Sequence, residues 1–347
     1  MISGLVDSVP LSAAWHVEKE VLLELDDLVV DYLEADLPLR AVDHVNLTIR
    51  AGEIVGLAGE SGCGKTTAAN AILQILRPPA EVTGGQIRFR GVDLGELNGK
   101  QLRGYRWRNV SMVFQSAMSA LNPVMRVGDQ FVDMMQAQER VSRRDALQRA
   151  GDLLALVGID RNRVRAYPHE LSGGMRQRVI IAMALALEPE LVIMDEPTTA
   201  LDVVVQREIL QEVQQLQREL GFAVLFITHD LSLLLEFADR VAIMYAGEIV
   251  ELAESPELFA NALHPYSVGL LSSFPPLTGP IVPLAGIPGS PPDLTDPPSG
   301  CRFHPRCPHC HVEDVALYAR QTAERPLLKP VAPGHEVACH LVEESRS

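Results

Sequence analysis

"EIVGLAGESGCGKTTAANAILQIL", Glu53 to Leu76, is a short apolar run, a glycine-rich turn, and a run that puts Ala68, Ala71, Ile72, Ile75 and Leu76 on one helical face. Strand, loop and helix in that order predict the first unit of an α/β fold. Within it, "GESGCGKTT", Gly59 to Thr67, satisfies the pattern G-x-x-x-x-G-K-[ST] and lies where that pattern must lie, after a strand and opening a helix. Gly59, Gly62 and Gly64 permit a tight turn. The backbone N–H groups between them, through Glu60, Ser61 and Cys63, form a nest for phosphate oxygens at the positive end of a helix. Lys65 is placed to reach the β- and γ-phosphates of ATP, and the Thr66 hydroxyl, beside Thr67, to ligate Mg²⁺.

The flanks extend the pattern. "VLLELDDLVVDYL" (Val21 to Leu33) and "AVDHVNLTIR" (Ala41 to Arg50) read as antiparallel strands of a small opening sheet. "VSRRDALQRAGDLLALVG" opens with a capping box, Ser142 to Asp145, aligns Leu147, Ala150, Leu154 and Val157, and stops at Gly158, so it reads as an amphipathic helix. "LVIMDEP" and "AVLFITHD" are buried-type strands. The helix "QREILQEVQQLQREL" between them has Ile209, Val213, Leu216 and Leu220 on one stripe and ends at Gly221. Alternating strands and helices imply a parallel sheet covered on both faces. Asp195 and Glu196 close an apolar strand at its carboxyl end, where ligands of such sheets bind. Asp195 is expected to hold Mg²⁺ through water, and Glu196 to polarise a water attacking the γ-phosphate.

Composition sets limits. The 347 residues carry a formal charge of −15, which argues against a primary role in gripping nucleic acid, since that affinity comes from Lys and Arg. The apolar run Val179 to Met194 is broken by Glu188 and Pro189 before it reaches a membrane-spanning length. The N-terminus has no basic segment leading into an apolar core, so a secretion signal is not expected and a cytosolic protein is. Proline recurs through Phe274 to Gly300, which predicts an extended linker or an arm lying on the domain surface.

"LSGGMRQR", Leu171 to Arg178, places Ser172, Gly173 and Gly174 at a helix start, a second anion-binding N-terminus that the chain's own P-loop cannot use. This stretch resembles the signature motif of ATP-binding cassette (ABC) ATPases. The resemblance runs from about Leu23 to Ser255, with 23–260 as the nucleotide-binding domain, an α-helical insert at about 115–178, an N-terminal extension over 1–22 and a C-terminal extension over 261–347. It implies a P-loop NTPase core of RecA-like type with an antiparallel β subdomain. By the same resemblance Gln115 is the Q-loop glutamine and a Mg²⁺ or water contact, Asp202 of "TALD" faces across a dimer, and His229 is the switch histidine at the γ-phosphate. Tyr32 is the candidate to stack on adenine. "YPHELSGGM", "SAMSALNPVMRVGDQ" and "LHPYSVGLLSSFP" look like the ATPase subunits of oligopeptide/dipeptide importers, some of which move nickel or oligosaccharides. That branch implies a second ATPase subunit, two transmembrane permeases, an extracytoplasmic solute-binding protein, and a peripheral place on the cytoplasmic face of the cell membrane. The alternative is a soluble ABC ATPase acting on nucleic acid or ribosomes.

The tail poses a separate question. "GCRFHPRCPHC", Gly300 to Cys310, and Cys339 gather four of the five cysteines. In a reducing cytosol such thiols read as metal ligands, for a [4Fe–4S] cluster or structural Zn²⁺, with His304, His309 and His311 nearby, or as four unliganded thiols in a loose tail. The resemblance favours the cluster, with Cys301, Cys307, Cys310 and Cys339 as ligands. It also contains a departure, because the third cysteine of the family lies near Asp314 and here it is Cys310.

Overall fold

The computed structural model describes residues 19–33, 38–114, 120–197, 202–273 and 286–344. Twelve strands are described: β1 Val21–Tyr32, β2 Leu39–Arg50, β3 Ile54–Ala58, β4 Ala80–Phe89, β5 Val92–Asp93, β6 Val110–Val113, β7 Leu191–Asp195, β8 Ala223–Thr228, β9 Arg240–Tyr245, β10 Glu248–Glu254, β11 Lys329–Ala332 and β12 His335–Val337. They form two sheets. An antiparallel one runs β2-β1-β4-β5, and a larger mixed one runs β11-β12-β10-β9-β3-β8-β7-β6. The centre of the larger sheet, β9-β3-β8-β7-β6, is parallel, and β10, β12 and β11 continue it antiparallel.

The parallel strands are apolar at nearly every position because both faces are covered, the exceptions being Ser111 and the strand-end residues Asp195, Thr228 and Arg240. Along β8, Val224 and Phe226 enter a core shared with the helical segments, while Ala223, Leu225 and Ile227 enter a second core beneath the antiparallel sheet. The insert supplies helices Val127–Gln138 and Arg143–Leu156. The Ser142 hydroxyl accepts the Asp145 N–H as the expected cap, and Ala150, Leu154 and Val157 are buried.

Two periodicity readings need correction. The P-loop helix spans only Lys65–Ile72, because Gln74 takes a left-handed backbone (φ 54°). Ile75 and Leu76 therefore reach the core from irregular chain. Helix Val203–Leu220 buries Ile209, Val213 and Leu216, but Leu220 is 53% exposed in the final turn before the left-handed Gly221.

The C-terminal extension adds elements beyond the proline-rich stretch: β12 pairs with β10 and extends the main sheet, and helix Val315–Ala323 buries Leu317 and Gln321. Among the described residues, no helix is long and apolar enough to cross a membrane.

Candidate nucleotide site

The P-loop turns at the carboxyl end of β3, flanked in the sheet by β8 and β9. Gly64 caps helix Lys65–Ile72 at φ 107°, and a Cβ there would stand 2.1 Å from the Ala41 carbonyl oxygen. Only glycine fits both the dihedral and the space. The Lys65 ammonium donates to the Gly59 and Glu60 carbonyls at 2.8 and 2.9 Å, which holds it over the loop. Cys63 is buried below, 3.6 Å from Lys65 Nζ, with its thiol pKa raised by burial.

Around this loop lies a cleft of about 460 Å³, lined by Tyr32, Glu60 to Thr67, Glu196 and Tyr245, and by Pro291 to Leu294 from the extension. Its size falls within the usual range of small-ligand sites, about 300–1,000 Å³. The Tyr32 hydroxyl lies 3.2 Å from Thr67 Oγ1, so the proposed adenine platform does stand at the cleft. Glu60 differs from the other loop residues, because its N–H is donated to the Tyr266 hydroxyl at 3.0 Å.

The two acids behave differently. Asp195 is 2% exposed, and its Oδ1 has no hydrogen-bond partner. Burial raises its pKa most; a hydrogen bond with Thr66 and the charge of Lys65 oppose that. A buried, orphaned carboxylate oxygen beside a hydroxyl fits a divalent cation, so Thr66 and Asp195 suit Mg²⁺. Gln115, the third expected ligand, lies outside the described residues. Glu196 sits on a left-handed backbone at φ 45°, a conformation that costs a non-glycine residue about 1–3 kcal/mol. Its carboxylate is 3.2 Å from His229 Nδ1, which unites the expected water-polarising acid with the switch histidine.

The signature residues stand apart from this cleft. Ser172 caps helix Gly173–Leu185, its hydroxyl accepting the Met175 N–H. With Gly173, Gly174 and Asp202 it lines a different cleft that shares no residue with the P-loop cleft. Asp202 caps helix Val203–Leu220 through the Val205 N–H, while Thr199 to Leu201 lie outside the described residues.

The expected cysteine-ligated metal site is not found among the described residues. Burial pushes Cys301 up to about 12 and Cys339 up to about 11; Cys339 and Cys307 raise Cys301 further, and Cys307 raises Cys339. Cys310, however, follows Cys307 in a tight turn, its N–H bonded to the Cys307 carbonyl, and is only part-buried. Among the described residues, no group of three or more His, Cys, Asp or Glu side chains could hold a metal ion. As placed, Cys301, Cys307, Cys310 and Cys339 do not fit a [4Fe–4S] cluster or Zn²⁺, and His304 instead bonds the Cys301 carbonyl.

The sequence gives no signal for Tyr245 and Pro291 to Leu294, which line the cleft, or for Arg306 and Tyr266, which stand behind it on Glu60. Tyr266 and Arg306 lie in "HPY" and "HPRC", stretches whose local pattern does not point to a P-loop contact.

Known proteins place the chain. Residues 42–199 match the model described as ABC transporter, and 250–313 match the oligopeptide/dipeptide transporter C-terminal region. The dipeptide transport ATP-binding protein DppD of Bacillus subtilis (strain 168) is 41% identical, over 94% of this chain and 96% of its own length. The oligopeptide transport ATP-binding protein OppD of Salmonella typhimurium (strain LT2) is also 41% identical, covering 92% and 93%. Among solved structures, the ATP-binding cassette MJ0796, a dimer in a post-hydrolysis state bound to ADP and Pi, superposes with a TM-score of 0.60 at 28% identity, over 67% of this chain and 99% of that one. Two ATP-binding subunits, each 41% identical over more than nine-tenths of both lengths, together with the two matching family regions, show that the protein belongs to the ATP-binding subunits of the oligopeptide/dipeptide ABC transporter family.

Proposed function

We propose that this chain is the ATP-hydrolysing motor of an importer for peptides, or for a related solute such as an oligosaccharide, working at the cytoplasmic face of the membrane with a second ATPase subunit, two permeases and a solute-binding protein. One observation carries the reading: a P-loop cleft with its acids and a separate anion-binding helix end coexist in one chain and share no residue. Two such subunits facing each other would each complete the other's site, with Ser172 to Gly174 of one meeting the γ-phosphate held by the other's P-loop.

Within a cleft, the loop amides and Lys65 bind the triphosphate, and Tyr32 supports the base. Thr66 and Asp195, with Gln115, would hold Mg²⁺, which supplies charge neutralisation at the β- and γ-phosphates when bound. Glu196 orients a water and accepts its proton, and His229 holds the Glu196 carboxylate at the γ-phosphate. Closure of the pair would pass through the helical insert to the permeases, and hydrolysis would reset it. Replacing Glu196 with Gln keeps the shape but removes the proton acceptor. Turnover should fall by about 10²-fold or more while ATP stays bound; wild-type turnover in that variant would sink the assignment.

A further inference from the structure

Two side chains of the C-terminal extension converge on one P-loop residue. The Arg306 guanidinium, 5% exposed, grips both oxygens of Glu60, with Nη1 donating to Oε2 at 2.7 Å and Nη2 to Oε1 at 3.1 Å. Its Nε donates to the Pro288 carbonyl at 2.8 Å, and the fork lies 5.7 Å from the centre of the Tyr245 ring. From the other side, the Tyr266 hydroxyl takes the Glu60 N–H. Both polar ends of Glu60 are thus bound by the extension. The pairing is bidentate and largely dry, a geometry that guanidinium makes and ammonium does not.

The position of Glu60 gives the contact its consequence. Glu60 lines the cleft that holds Lys65 and Thr66. Unpaired, its charge would oppose a polyphosphate at short range in a site of reduced dielectric. We propose that Arg306 is a positioning residue for ATP: by neutralising and fixing Glu60, the C-terminal extension sets the nucleotide affinity of its own cassette. Pro291 to Leu294 carry the same extension to the cleft wall. This inference rests on the reading that the P-loop cleft takes ATP.

The full-length chain tests it through displacement of a fluorescent ATP analogue by ATP, together with steady-state ATPase kinetics. Arg306→Ala should raise Kd and KM for ATP about tenfold while kcat changes less than about threefold. Arg306→Lys, which keeps the charge without the fork, should fall between, and serves where the alanine variant does not fold. Adding Glu60→Ala to Arg306→Ala should bring Kd back toward wild type, because the unpaired carboxylate is gone. Arg325→Ala, which removes one tie of the extension to Asp43 and Glu248 without touching Glu60, should leave Kd within about twofold. The proposal is overturned if Kd is unchanged in both Arg306 variants, if the double variant binds no better than Arg306→Ala, or if Arg325→Ala weakens binding equally. A wild-type chain that binds no ATP would instead defeat the underlying reading of the cleft.

Discussion

Single residues show how narrowly the site is built. Gly64 has no room for a methyl group, and its backbone lies where side chains are strained, so Gly64→Ala should reduce ATP binding by two orders of magnitude or more, as measured by equilibrium titration. Glu248 offers a pH handle outside the cleft. Burial pushes its carboxyl up to about 7, Asp43 adds to this, and Arg325 and Arg302 pull the other way. The folded state therefore holds this proton more tightly than the unfolded chain between an ordinary carboxylate value and about pH 7. Stability is lost as pH rises through that window, by roughly 3 kcal/mol. Glu248→Gln stays neutral, so its melting temperature should gain on wild type as pH rises from 5 to 8. A constant difference across that range would refute the assignment.

Elements explain the extension. In "HPY", His264 caps helix Pro265–Ser272 by accepting the Tyr266 N–H at Nδ1, Pro265 fills the first turn, and Tyr266 reaches the P-loop. His264 is wholly buried and pushed down to about 3, so the cap is a neutral ring through the physiological range. β12 then pairs with β10, and Arg302 ties the tail to Asp43 at 2.5 Å and to Glu248 at 3.3 Å. Sheet pairing and ion pairs thus hold an extension whose clustering of cysteines suggested a metal staple. With Cys310 in a surface turn, protein purified anaerobically should contain well under one iron or zinc per chain and lack iron–sulfur absorption. Stoichiometric metal would show that the four thiols rearrange around it.

On the proposed function the whole molecule is one half of a pair. Its hydrolytic cleft and its signature cleft open at separate places, so neither alone surrounds a nucleotide. Two chains facing each other resolve this, which leads to an expectation about assembly. With ATP, the Glu196→Gln variant should run as a dimer in light scattering, alone or with a homologous ATPase subunit. Adding Ser172→Arg, which fills the helix end proposed to meet the partner's phosphate, should return it to monomer while leaving binding to its own P-loop within about twofold.

The P-loop, the acids after β7, the signature helix start and the parallel core were legible because each depends on local rules: glycine dihedrals, apolar runs of strand length, and caps. The same local signals misjudged the end of the P-loop helix, where Gln74 breaks it, and the burial of Leu220, which depends on what packs against the last turn. Contacts between residues far apart in the chain could not be read that way. No spacing rule links Arg306 to Glu60 across 246 positions, or β12 to β10, since such pairs are selected by packing and desolvation once the sheet exists. The chemistry of ATP was written in the order of the residues, while the extension's place at the nucleotide cleft was decided by the folded sheet, which brings its arginine and tyrosine to the same loop.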